Sequence, residues 1–341
     1  MYSKKLIKVH VELSNICNAM CPQCLRNYVD KDTGELTVRE TLNTHELLLN
    51  DYKNIFDNDF FNNFQLTRAN FCGNISDPIA SKDLKKIIEY HIINNSNIQI
   101  TISTNGGLRS NKWWSELGKI LSQVEHLVYF GIDGLEDTHS LYRINTNFNK
   151  VISNATSFIK SGGKASWQFL EFKHNEHQVS KAKELANKLG FEEFNHIVTP
   201  RFANRKINKI KYTYKNKLFL LEESSNEVSK KLKVQTKSGN ISCKALEDNE
   251  FFLDHDGAVY PCCWLAQRKK NDHSLLQHHD KKMNALKNSL TDILTDSFFL
   301  KKLKDSWEHD PSYSCTKFCD NQENNRKDKY TITDKLMEIT V

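Results

Sequence analysis

The sequence predicts an α/β fold in which a parallel sheet curves into a partial barrel, followed by a small second unit. Three observations carry this expectation. Six strand-like runs alternate with amphipathic helical runs over the first two hundred residues. The helical runs stop at glycines. The alternation then breaks after Pro200, and a short hairpin signal follows.

The strand candidates are Ile7–Leu13, Phe64–Phe71, Ile98–Ser103, His126–Ile132, Ala165–Phe172 and Phe194–Val198, all rich in Val, Ile, Phe and Thr. Between them lie SKDLKKIIEYHIIN, NKWWSELGKILSQV, FNKVISNATSFIKS and EHQVSKAKELANKLG. In the last, Val179, Ala182, Leu185, Ala186 and Leu189 recur at helical spacing, and Gly190 marks its end as Gly162-Gly163 marks the one before. Arg205, Lys206, Lys209, Lys211, Lys215 and Lys217 crowd a segment without acidic residues, and a helix is expected from about Lys217 to Lys233. FFLDHDGAVYPCCW reads as two short strands around an Asp256-Gly257 turn. The tail after Cys319 is polar and is expected to be mobile.

Hydrophobic residues make up 38% and charged residues 26% of the 341-residue chain, a globular composition long enough to bury a core. The N-terminus, MYSKKLIKVHVEL, carries no secretory signal pattern, and no apolar run approaches a membrane span. The expected compartment is the cytoplasm, where thiols stay reduced. The nine cysteines then point to metal or redox chemistry and not to disulfides. The formal charge of +6 permits an acidic partner without requiring one.

Cys17, Cys21 and Cys24 stand at C-x3-C-x2-C, just after the first strand. A structural zinc site closes with four ligands, whereas a [4Fe–4S] cubane held by three thiolates keeps one iron open. Strand ends are also where barrels of this kind place their chemistry. Downstream come FCGNISDP after the second strand, TNGG after the third, FGIDGLEDTHSLYR after the fourth and WQFLEFKHN on the fifth.

In these motifs and their order, residues 7 to 200 resemble the radical S-adenosylmethionine (SAM) superfamily. The resemblance implies a partial (β/α)6 TIM-like barrel. It implies that Cys17, Cys21 and Cys24 hold a [4Fe–4S] cluster whose open iron chelates SAM. Reductive cleavage then gives a 5′-deoxyadenosyl radical that abstracts hydrogen from an unactivated carbon. By the same resemblance, Gly73, Asn74, Ser76 and Asp77 belong to the loop that holds the SAM amino group, and Asn105 lies beside SAM. Asp133 takes the ribose hydroxyls or the substrate, Arg143 pairs with the SAM carboxylate, and both are candidate catalytic residues. Gln168 and Leu170 approach the adenine. The chain departs from the family at Ser76, where a second glycine is usual, and at Asp77 and Asn175, where Glu is usual. It departs again at Gln23, where an aromatic residue often stands; a neighbour such as Tyr28 could substitute.

Cys243, Gly257 and Cys262 form C-x13-G-x4-C, and Cys315 and Cys319 form C-x3-C. This set resembles the SPASM and twitch auxiliary-cluster modules, in the reduced, four-ligand form. It implies a second [4Fe–4S] cluster held by Cys243, Cys262, Cys315 and Cys319. A four-cysteine zinc site is the rival reading, and Cys263 competes with Cys262 for one place. Cys72 fits no ligand spacing and is read as packing. His255, His273, His278 and His279 are read as solvated.

The expected organisation is a radical SAM core over 1–200, a basic connecting segment over 201–242, the auxiliary module over 243–319 and a polar tail over 320–341. The expected function is radical oxidation of an unactivated carbon, with SAM, two clusters and an external reductant such as flavodoxin or ferredoxin. The substrate is a small molecule or a peptide; a start so close to the first strand leaves no leader-binding domain and favours the former. RNA modification, with the basic segment as a phosphate patch, is one alternative. A non-catalytic iron–sulfur electron carrier is another, but it leaves the SAM-like motifs unexplained.

Overall fold

The computed structural model describes residues 5–39, 45–199, 202, 207–226, 240–267, 281–296, 301–320 and 331–335. Its strands in chain order are β1 (Lys5–Val11), β2 (Asn27–Val29), β3 (Leu36–Val38), β4 (Phe64–Cys72), β5 (Gln99–Thr104), β6 (His126–Gly131), β7 (Ala165–Glu171), β8 (Glu193–Val198), β9 (Lys209–Tyr214), β10 (Lys217–Glu222), β11 (Glu250–Leu253), β12 (Val259–Tyr260) and β13 (Thr331–Lys335). The six predicted strands correspond to β1, β4, β5, β6, β7 and β8. The four predicted helices form at Leu84–Asn94, Asn111–Leu121, Phe148–Ile159 and Val179–Leu189.

Two compact units share the chain. The first combines residues 1–15, 44–101 and 236–325. In it β1 pairs in parallel with both β4 and β11, and β12 closes a hairpin on β11. Val9, Val11, Leu66, Ala69 and Phe71 are buried in its core, beside the helix residues Ile87 and Ile88. The second unit combines residues 16–43, 102–235 and 326–341. There β6, β7 and β8 run parallel, with β13 antiparallel on β8. Trp114, Phe130, Phe158 and Trp167 are fully buried in it. Asn154 caps the turn after β5 by donating to the carbonyls of Gly106 and Leu108. Gly190 ends the helix Val179–Leu189 with φ of 85°, a conformation that costs glycine little.

Two sequence expectations are corrected. The segment from Lys217 begins as a strand and not as a helix: β9 and β10 form a hairpin, and residues 227–233 lie outside the described residues. Its two-residue turn, Lys215-Asn216, has positive φ at both positions (48° and 61°), the geometry that matches strand twist. The alternation in KIKYTY, with Tyr212 buried and Lys211 exposed, is a period of two. The polar tail also supplies a strand, β13, paired with β8 from Thr331↔Ile197 to Lys335↔Glu193. Among the described residues, no helix is long and apolar enough to cross a membrane.

Candidate functional site

The loop of the three cysteines lies in the second unit and is pinned by backbone bonds. Met20 N–H donates to the Ile144 carbonyl (3.0 Å), Cys24 N–H to the Cys21 carbonyl (3.1 Å) and Asn27 Nδ2 to the Cys21 carbonyl (3.0 Å). Cys21 is buried, Cys17 and Cys24 are half-buried, and all three pack with Tyr142, Leu170, Phe172 and Tyr212. N–H groups face the sulfurs: Ala19 N is 3.4 Å from Cys17 Sγ, and Arg26 N is 3.5 Å from Cys24 Sγ. Asn105 Nδ2 is 3.7 Å from Cys17 Sγ, and Arg143 Nη1 is 3.9 Å from Cys21 Sγ. A thiolate set in an apolar wall, with N–H donors aimed at it, is the environment an iron–sulfur cluster requires.

Asn105 is fixed on both sides of its amide. Its Nδ2 donates to Asn18 Oδ1 (2.9 Å), and its Oδ1 accepts from Gly107 N–H (2.8 Å). Asp133 has no exposed surface. Its Oδ2 accepts from Arg143 Nε at 2.6 Å and its Oδ1 from Leu170 N–H at 2.7 Å. Burial disfavours the Arg143 charge, but Asp133 and then Cys21 outweigh it and hold the guanidinium's pKa above its ordinary value. The guanidinium lies against Gly131, where a Cβ would collide with it. Gln168 pairs in register with Gly131, and its carbonyl accepts from Ile132 N–H. Asn175 is fully buried, and its amide bonds locally to Phe172 N–H and the Leu170 carbonyl. Arg39 lies over the Tyr28 ring.

The loop Gly73–Asp77 lies in the first unit. A Cβ on Gly73 would meet the Ser76 carbonyl and hydroxyl. Asp77 Oδ1 accepts from Ile79 N–H and caps the short turn Pro78–Ala80. Glu12, which the sequence did not single out, is almost fully buried and accepts from Ile75 and Ser76 N–H through Oε1. Burial, and then the nearby Asp254 carboxylate, push its pKa up to about 7. A carboxyl raised by the fold gives its full stability below its ordinary value of 4.5 and loses it as pH rises towards 7. Stability is therefore expected to fall by about 3 kcal/mol over that window. Glu12→Gln should flatten that part of a urea-denaturation series taken from pH 4.5 to 7.5. An unchanged slope in the variant would assign it to other groups.

Cys243, Cys262, Cys315 and Cys319 line one cavity of the first unit, walled by Pro261, Trp264, Leu265 and Leu303. A hydrogen bond from Cys319 lowers the Cys243 thiol to about 7 and holds the Cys319 proton in place. Burial, and then Cys263, raise the Cys262 thiol. Cys263 packs instead against the cluster of Phe252, Ala258, Tyr260 and Ala266. Cys72 Sγ faces the Gly73 carbonyl at 4.0 Å. Among the described residues, no three His, Cys, Asp or Glu side chains converge on a single ion; in a cubane each thiolate binds a different iron. His255 is not solvated: its Nδ1 lies 2.6 Å from Asp254 Oδ1 and its side chain is 13% exposed. Arg205, Lys206, His273, His278 and His279 lie outside the described residues.

The fold that carries these residues is that of the radical SAM enzymes. One structure with this fold is Streptococcus suis SuiB bound to the precursor peptide SuiA, at 13% identity and a TM-score of 0.53, covering 87% of this chain and 66% of that one. Another is anSMEcpe with bound AdoMet and a Kp18Cys peptide, at 15% identity and a TM-score of 0.54, covering 92% of this chain and 89% of that one. The chain thus spans just under two thirds of that SuiB chain. No family model and no curated protein matches the sequence.

Proposed function

We propose that the chain is a radical SAM enzyme that oxidises an unactivated carbon. The observation that carries this reading is the C-x3-C-x2-C loop, with N–H donors of Asn105 and of the Asp133-anchored Arg143 aimed at its sulfurs. Cys17, Cys21 and Cys24 would hold the SAM-binding [4Fe–4S] cluster, and Cys243, Cys262, Cys315 and Cys319 a second one. When bound, these groups supply one-electron cleavage of SAM to methionine and a 5′-deoxyadenosyl radical, and uptake of an electron from the substrate. Gly73, Asn74, Ser76 and Asp77 shape the loop for the SAM amino group, and Gln168 and Leu170 serve the adenine. Asp133 and Arg143 serve by position: each is engaged with the other, and together they brace the cysteine loop.

The second set is read as a cluster site beside the first: its four cysteines share one cavity with apolar walls. With every iron ligated by protein, electron transfer is the role left to that cluster. The reading places residues 1–200, 201–242, 243–319 and 320–341 in the four functional roles set out from the sequence. An external flavodoxin- or ferredoxin-like reductant would supply the first electron, in the cytoplasm.

Modification of a peptide is a second reading, favoured by the peptide-bound SuiB and anSMEcpe structures. The test is anaerobic incubation with SAM and reductant, against small molecules and peptides of a cell extract. The expected result is about eight irons per chain, one 5′-deoxyadenosine per product, and a product lighter by two hydrogens. A product of unchanged mass with SAM regenerated would overturn the oxidation.

A further inference from the structure

Residues far away in the chain hold the loop Gly73–Asp77 in shape. Asn74 Oδ1 accepts from Gln267 Nε2 at 2.5 Å, and Asn74 Nδ2 donates to the Cys263 carbonyl at 3.4 Å. Gln267 ends the short helix Cys263–Gln267, which begins one residue after Cys262. Ile75 and Ser76 N–H donate to Glu12 Oε1 at 2.8 and 3.0 Å. Glu12 is itself tied to the C-terminal hairpin, because its N–H donates to the Leu253 carbonyl at 2.9 Å. Three successive residues of the loop are thus clamped from Glu12, just past the end of β1, and from the segment that carries Cys262.

The Asn74 side chain is therefore already engaged within the protein. A backbone loop that receives a charged group gains affinity when its shape is set beforehand, because binding then does not carry the cost of ordering it. We propose that Gln267 and Glu12 are positioning residues for SAM. They preform the loop that receives its amino-acid end, so the C-terminal hairpin and helix are part of the SAM site as well as the carrier of cysteines. This rests on the radical SAM reading.

The test uses the reconstituted full-length protein and its Gln267→Leu variant. Hydrogen exchange reports the loop amides directly, and calorimetry with SAM reports affinity. Loss of the bond should speed exchange at residues 74–76 about tenfold and weaken SAM binding about fivefold. Protection of β4 should stay as it is. Asn74→Ala, which removes the acceptor of that bond, should behave like Gln267→Leu. Exchange and affinity within twofold of the wild type in Gln267→Leu would overturn the clamp. So would faster exchange spread along β4, which would mark a general loss of stability. If the wild type itself fails to bind SAM, the functional reading fails, and the exchange data still judge whether Gln267 holds the loop.

Discussion

Replacing Cys17, Cys21 and Cys24 together by Ala is expected to abolish SAM cleavage and leave about half of the iron. The effect is large because, among the described residues, no other thiol packs with these three: their neighbours are N–H donors, tyrosines and apolar side chains. The loop should keep its course, because bonds between main-chain groups and Asn27 hold it without the sulfurs. Iron is measured on the reconstituted protein, and 5′-deoxyadenosine by chromatography. Cleavage retained in the triple variant would sink the assignment. Cys72→Ala and Cys263→Ala should keep their iron, since one sulfur faces a carbonyl and the other an apolar cluster.

Asp133→Asn is expected to cost about 3 kcal/mol of stability, a large share of the 5–15 kcal/mol of a whole domain. The carboxylate is wholly buried and takes two hydrogen bonds, one from a guanidinium and one from Leu170 N–H. An amide there can still accept from Leu170, but it then turns its NH2 towards the Arg143 Nε–H, donor against donor. The arginine keeps its charge and loses its partner. The figure sits at the low end of the range for buried pairs because the Arg143 side chain is 20% exposed and water can reach it. Urea denaturation measures the loss. A change under 1 kcal/mol would show that the pair contributes little. Combining Asp133→Asn with Arg143→Gln should cost less than the sum of the two, because either change alone already breaks the pair.

Elements whose signal is local could be read from the chain. The six strands announced themselves by composition, the C-x3-C-x2-C spacing marked cysteines packed in one loop, and the C-x13-G-x4-C spacing marked two of the cysteines that line a common cavity. What could not be read depends on partners remote in sequence. Asp133 and Arg143 were each read as a contact for a ligand, and the sequence did not show that they also pair with one another. Glu12 looked like one polar residue in an apolar run, and its role needs Ile75 and Ser76. Gln267 finds Asn74 nearly two hundred residues upstream. The hairpin of β9 and β10 failed for a local reason, since Lys215-Asn216 carries no glycine to announce positive φ.

The pairing of β1 with β11 has a consequence for synthesis. Val11 lies opposite Leu253, so one side of β1 cannot be covered until more than two hundred further residues have been made. At the bacterial or eukaryotic pace of some 5–20 residues per second, that interval lasts about 10–50 seconds. Throughout it, a nascent chain shows a bare row of amide and carbonyl groups on an apolar strand, the kind of edge that recruits other strands. Lys8 would stay charged and unpaired there until Asp248 arrives, a gatekeeper against misassembly while the polypeptide is still growing.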